Sequence, residues 1–226
     1  IAPITPGHEW VGTIEEAPKD SEYAPGEWVT MYPTKGCEVC AACLDERPHH
    51  CNSFRVIGVH QDGGSFAEYL AVPLDQLIKL PETLHNIHGA LAEPATVGVY
   101  ANLQGGMAAG KRVAVIGAGT IGSMIGQVAR GWGAADVVMV DRMPARQKLA
   151  ADLGFERFVL VGDGDEQENL LAYDGEFDII FDNVCVEQTL ELAANSLKSG
   201  GTMVTLAFPH DGQKLVVPYM TAYRRE

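Results

Sequence analysis

The chain has 226 residues, 46% of them hydrophobic, and 16 Lys and Arg stand against 30 Asp and Glu, a formal net charge of −14. That length suits one large or two modest domains with apolar content enough for a core, and the acidic balance without a basic stripe argues against a nucleic-acid binder, which needs clustered cations. No apolar run approaches the roughly eighteen residues of a membrane span and no basic-then-apolar leader opens the chain, so a reduced, cytoplasmic setting is expected.

From Ile1 to about Leu80 the sequence breaks into short β-rich pieces, "EWVGTIEEA", "GEWVTMYP", "SFAEYLAVP" and "DQLIKLP", separated by Gly, Pro and Asp. Each alternates or clusters apolar residues over about four to eight positions, and helical periodicity is absent, as in a β-barrel or sandwich. Into this region is set Cys37, Cys40, Cys43 and Cys51, a C-x2-C-x2-C-x7-C pattern within fifteen residues. Four thiolates so close suit one tetrahedral zinc with bonds of about 2.3 Å. Disulfides are the alternative, but two-residue spacings pair neighbours poorly and the chain lacks the marks of a small secreted scaffold. A site closed by four thiolates has no open position, which makes the lobe at 33–52 structural. At "ETLHNIHGALAEPATVGVYANLQ" the apolar spacing turns helical. A helix is expected to start near Pro94, with a domain boundary there that divides 1–92 from 93–226.

The second part reads strand, glycine turn, helix, strand in "KRVAVIGAGTIGSMIGQVARGWGAADVVMVD". Val113–Ile116 is a continuous apolar run, as in a strand buried on both faces. Gly117, Gly119 and Gly122 follow as G-x-G-x-x-G, with Thr120 and Ile121 opening the helix. The first glycine permits the tight turn, the second lets backbone approach a pyrophosphate, and the third lets helix pack on strand. Ile121, Ile125, Val128 and Ala129 are expected to form the helix's apolar face. Asp141 ends the next strand, nineteen residues past Gly122, where a carboxylate accepts from the adenosine ribose hydroxyls and repels a 2′-phosphate. NAD is therefore expected over NADP, although Arg142 and Arg146 stand ready to meet a phosphate. "RFVLV", "FDIIFDNV" and "GGTMVTLAF" continue the alternation of a doubly wound parallel sheet.

Together, "GHEWVG" at Gly7–Gly12, the cysteine lobe, "AEPATVGVYA" at Ala92–Ala101 and "VIGAGTIG" at Val115–Gly122 resemble the zinc-dependent medium-chain alcohol dehydrogenases. "VIGVHQDGGSFAEYL", "EPATVG" and Asp141 look most like their polyol and sugar-acid branch, with threonine and butanediol dehydrogenases close by. The resemblance covers essentially the whole chain. It implies a GroES-like β-barrel catalytic domain followed by a Rossmann domain, and a homodimer or homotetramer. It implies that His8, Glu9 and Glu93 serve a catalytic zinc, and that hydride passes from a secondary alcohol to NAD, leaving the ketone. The family also carries a cysteine ligand and a small hydroxyl residue upstream of this sequence, and a last Rossmann strand after "YMTAYRRE". The sequence therefore reads as an internal portion of a longer protein, with its catalytic site one ligand short and no proton relay assigned. Two rivals stand beside this reading. A zinc-free reductase of the same superfamily lacks both the lobe and the G-H-E site, and a non-catalytic NAD-binding relative would keep the fold without turnover. His49 and His50 read as exposed, His60 as a loop histidine, Cys185 as a small buried hydrophobe, and Tyr100 stands where relatives often have His.

Overall fold

In the computed structural model the described residues are 4–60, 63–162, 175–207 and 214–224. The chain divides into two compact units, Ile1–Glu93 and Pro94–Glu226. No helix among the described residues is long and apolar enough to cross a membrane.

The first unit is built from short strands: β1 (Gly12–Thr13), β2 (Trp28–Met31), β3 (Thr34–Lys35), β4 (Arg55–Val56) and β5 (Leu77–Lys79). β1, β2 and β5 form an antiparallel sheet in the order β1-β2-β5, while β3 and β4 pair as a separate two-stranded ribbon. Val29 and Met31 of β2 are buried, and Thr30 between them is buried too, its hydroxyl donating to Trp10 O at 2.8 Å. "SFAEYLAVP" is not a strand. The consecutive N–H groups of Gly64, just before it, and of its own Ser65 and Phe66 donate to the Thr5, Gly7 and Pro6 carbonyls, each at 3.0 Å. A ladder uses every second residue, so donors spent on three adjacent carbonyls cannot extend one.

The second unit carries α2 (Ala92–Gln104), β6 (Arg112–Ile116), α3 (Thr120–Gly131), β7 (Asp136–Asp141), α4 (Pro144–Asp152), β8 (Arg157–Leu160), β9 (Phe177–Asp182), α5 (Glu187–Ser196), β10 (Leu197–Thr205) and α6 (Tyr219–Arg224). α2 begins two residues before the division between the units. The five strands form a parallel sheet in the order β10-β9-β6-β7-β8. Side chains alternate between its faces. Val113, Val115, Ile179 and Phe181 enter one core with Ile125 and Ala129 of α3, and Ala114, Ile116, Val138 and Ile180 enter a second with Ala193 of α5. Both faces are dry, which is why these strands read as unbroken apolar runs. α3 meets this core through Ile125, Gly126 and Ala129, with Val128 only half buried. Asn102, fully buried on α2, ties α2 to α3 by donating to Gly98 O at 2.9 Å and Ile125 O at 3.1 Å.

At the N-terminal ends of the strands, charges alternate across the whole sheet. Lys198 of β10 meets Asp178 of β9 at 2.9 Å, and Asp178 accepts the Arg112 backbone N–H of β6 at 2.8 Å. The Arg112 guanidinium lies 3.6 Å from Asp136 of β7, which pairs with Arg157 of β8. Burial pushes the Asp178 carboxyl up, but the Arg112 N–H and Lys198 outweigh it, so it titrates below the usual carboxylate range. A carboxyl depressed on folding contributes stability that is full above its unfolded value of about 3.9 and is lost as pH falls through the lower folded value. Asp178→Asn is expected to shrink the fall in melting temperature between pH 5 and pH 3, measured by thermal unfolding across that range; an unchanged acid limb would show that Asp178 carries no such linkage.

Candidate metal centres and dinucleotide site

The β3–β4 ribbon closes the base of the cysteine loop, and within it lie α1 (Ala41–Leu44) and a short 3-10 turn at Pro48–His50. The four thiols are free of disulfides, and the sulfurs of Cys37, Cys40, Cys43 and Cys51 lie within 4.8 Å of one another. A zinc tetrahedron with bonds of about 2.3 Å has sulfur–sulfur edges of about 3.8 Å, and with Cys40 and Cys43 sulfurs 3.5 Å apart the set is of the size that one ion needs. Backbone amides aim at them as well. Cys37 N–H and Ser53 N–H donate to the Cys51 sulfur at 3.4 and 3.3 Å. The Val39 and Cys40 N–H groups, aided by the neighbouring thiols of Cys40 and Cys51, draw the Cys37 thiol down to about 6. Burial, against the Glu38 N–H, pushes Cys43 up to about 11. Such a set ionises fully only with a cation at its centre. A Cβ on Gly36 would lie 2.5 Å from the Cys43 sulfur, so only glycine leaves that sulfur its place.

The second group is smaller. His8 and Glu9 follow Gly7, and their segment is pinned downstream by the Thr30 hydroxyl on Trp10 O and by the pairing of β1 with β2. Glu93 lies in the first turn of α2. It is reached through a 3-10 segment, Ile87–Leu91, that the Asn86 side chain opens by accepting the His88 N–H at 2.8 Å. That segment lies against Val11 because residue 89 is glycine: a Cβ there would be 2.7 Å from Val11 Cγ2 and 2.8 Å from Leu80 Cδ1. The donor atoms of His8, Glu9 and Glu93 come within 4.8 Å of one another. Burial pushes the Glu93 carboxyl up, His8 opposes this, and the Glu9 charge adds to it. One imidazole and two carboxylates fit a zinc that keeps a position open.

In the second unit, Gly117 has φ +90, and a Cβ on Gly122 would lie 1.9 Å from Gly117 O, so the turn and α3 touch backbone to backbone. A Cβ on Gly119 would meet nothing within 4 Å. No side chain caps α3 at Gly119, which leaves the helix's first-turn N–H groups facing that open space, where a phosphate fits. Thr120 stands in this first turn, whereas the Ile121 side chain packs on the core and has only its backbone to offer. Asp141 accepts Ala118 N–H at 2.8 Å and Met143 N–H at 2.9 Å, one on each carboxylate oxygen. This holds it at the glycine turn with lone pairs to spare for ribose hydroxyls. Beside it opens a cavity of about 370 Å³ lined by Arg142, Met143, Pro144, Ala145, Val161 and Gly162. Arg146, on α4, is not in that lining. These residues fit a nicotinamide dinucleotide.

Other positions fall outside these groups. His60 accepts the Val56 N–H through Nδ1 at 3.2 Å, with its ring against the edge of Phe54. His49 and His50 are exposed, with ring centres 4.3 Å apart, and Tyr100 is half exposed on α2. Sequence reasoning missed Asp182. It is fully buried at the end of β9 and accepts from Val184 N–H, Cys185 N–H and the Thr189 hydroxyl at 2.9, 3.0 and 2.7 Å. It holds a turn in which buried Cys185 adopts φ +54 and Val184 comes within 3.1 Å of where a Gly117 Cβ would stand. The signal was "DNVC" directly after an apolar strand, a position that asks for a turn-making carboxylate.

Known proteins match along the chain. Residues 1–82 match the alcohol dehydrogenase GroES-like domain and residues 120–226 the zinc-binding dehydrogenase family. L-idonate 5-dehydrogenase (NAD(P)(+)) of Escherichia coli (strain K12) is 30% identical over 100% of this chain and 66% of its own length. (R,R)-Butanediol dehydrogenase of Bacillus subtilis (strain 168) is 31% identical over 95% of this chain and 61% of its own. Among solved structures, a zinc-binding dehydrogenase from Sinorhizobium meliloti 1021 bound to NADP superposes with a TM-score of 0.90 at 33% identity, over 100% of this chain and 67% of that one. The chain thus spans 61–66% of the length of these two curated relatives. With a GroES-like match on its first unit, the dehydrogenase match on its second and that superposition over its whole length, the chain belongs to the zinc-binding dehydrogenase family.

Proposed function

We propose that the protein is a zinc- and NAD-dependent oxidoreductase that oxidises a secondary alcohol of a polyol or sugar acid to the ketone. The observation that carries this reading is the gathering of His8, Glu9 and Glu93 within 4.8 Å. A mixed nitrogen and oxygen set of three suits catalysis, whereas the four sulfurs of Cys37, Cys40, Cys43 and Cys51 suit a closed structural site. Zinc supplies Lewis acidity that eases loss of the alcohol proton, and the nicotinamide supplies the hydride acceptor. His8 would contribute a ring nitrogen, and Glu9 and Glu93 carboxylate oxygens, to hold the ion. Gly117, Gly119 and Gly122 bring backbone N–H groups of Thr120 and Ile121 towards the pyrophosphate, and Asp141 orients the adenosine ribose. The substrate class rests on relatives named for L-idonate, sorbitol and (R,R)-butanediol.

The test follows NADH absorbance while the protein is offered polyols, aldonates and simple alcohols, before and after zinc is stripped with a chelator. Metal-dependent reduction with a polyol or aldonate is the expected result. Binding of NAD with no reduction on any of these would instead make the protein a cofactor-binding relative without catalysis. Cofactor choice is tested separately. Asp141 should favour NAD over NADP, and Asp141→Ser is expected to lower that preference at least about tenfold, because it removes a negative charge beside Arg142 and Arg146. Equal use of both cofactors by the unaltered protein would count against the role given to Asp141.

A further inference from the structure

From Ile4 to Val11 the backbone carrying His8 and Glu9 has no regular secondary structure, so something else must fix it. Upstream, four backbone hydrogen bonds do so. Gly64, Ser65 and Phe66 donate to Thr5, Gly7 and Pro6 at 3.0 Å, and Gly7 N–H donates to Gly58 O at 3.3 Å. The approach is closer than a side chain allows. A Cβ on Gly58 would lie 2.1 Å from Gly7 O and 2.7 Å from Gly7 N, and one on Gly64 would lie 2.2 Å from Thr5 O. These neighbours are backbone atoms, so they cannot rotate aside as a flexible side chain would. Gly63 has φ +93 but open space around its Cβ position, and so serves only the local conformation.

We propose that Gly58 and Gly64 are positioning residues for the ligand group. By admitting the backbone of residues 5–7 they set where His8 and Glu9 stand relative to Glu93. This rests on the reading of those three side chains as zinc ligands. Magnitudes decide the matter. A methyl on Gly58 must open the contact from 2.1 Å to the 3.0 Å that real Cβ atoms need, whereas a metal site tolerates ligand shifts of about 0.2 Å. His8 is one residue from Gly7 and cannot escape a movement of that size. The cysteine lobe is tied to the other side of Gly58, through the Ile57 N–H on Pro33 O at 3.1 Å, but the contact a methyl would force open is with Gly7.

The experiment titrates metal-free protein with cobalt(II). Thiolate-to-cobalt charge-transfer absorption reports the cysteine lobe, and the second equivalent reports the His8 group. The unaltered protein and Gly63→Ala are expected to bind two ions, and His8→Ala one. Gly58→Ala is expected to bind the second at least about tenfold more weakly, with the charge-transfer band and circular dichroism unchanged. If the unaltered protein takes only one ion, the ligand reading fails. If it takes two and Gly58→Ala holds the second just as tightly, the positioning role fails while the ligand reading stands. Should Gly58→Ala lose its fold, hydrogen exchange on the unaltered protein decides. The Ser65 and Phe66 amides are expected to slow when the second equivalent binds, and no slowing would overturn the proposal.

Discussion

His8→Ala is expected to lower turnover of any alcohol the protein oxidises by at least about a thousandfold and to bind one zinc per chain, against the two expected of the unaltered protein. The magnitude follows from the several kcal/mol that a metal contributes to developing negative charge, at about 1.4 kcal/mol per decade of rate. Without His8 the group keeps only the two carboxylates of Glu9 and Glu93, a poor zinc set. Cofactor binding is expected to persist, because Gly117, Gly122 and Asp141 all belong to the other unit. Metal content by mass spectrometry and NADH binding by fluorescence read these apart. Unaltered zinc content in the variant would remove His8 from the ligand set.

Among the described glycines of the second unit, Gly122 is where an added methyl is expected to do most damage. The added carbon would stand 1.9 Å from Gly117 O and 3.3 Å from Val115 Cγ1, so α3 must lift from β6 and take Ile125 and Ala129 out of register with the core. A cost of about 3 kcal/mol or more is expected, at the upper end of overpacking, together with at least a hundredfold loss of dinucleotide affinity. Gly119→Ala provides the contrast. Its φ is −76° and its Cβ position is open, so the fold should survive while the methyl intrudes where phosphate approaches. Thermal unfolding and dinucleotide titration of both variants test the pair. Equal melting temperatures for Gly122→Ala and the unaltered protein would refute the backbone contact.

What the sequence disclosed and what it hid divide along physical lines. The parallel sheet was legible because strands covered on both faces must be apolar throughout, and the family was legible because cysteine spacing, G-H-E and the glycine turn are contiguous patterns. The strand expected over "SFAEYLAVP" failed because its pattern implied a buried face that does not form, Phe66 and Tyr69 both being exposed, while the N–H groups of Gly64, Ser65 and Phe66 go to residues 5–7. Gly58 and Gly64 were invisible as positioning residues since a close approach between distant backbones leaves no trace in spacing. Asp182 was missed for a different reason: its partners, two turn amides and Thr189, are local, and the "DNVC" turn that signals them is a short pattern with no metal or cofactor spacing.

The row of Lys198, Asp178, Arg112, Asp136 and Arg157 bears on how the sheet finds its order. Parallel strands are joined by long crossovers and assemble slowly, with time for wrong neighbours to meet. Because the signs alternate strictly along β10, β9, β6, β7 and β8, exchanging β6 with β9, or β7 with β8, sets like charges side by side at the strand starts. The row therefore favours the observed neighbour order over these exchanges, by the modest amount that partly exposed ion pairs supply.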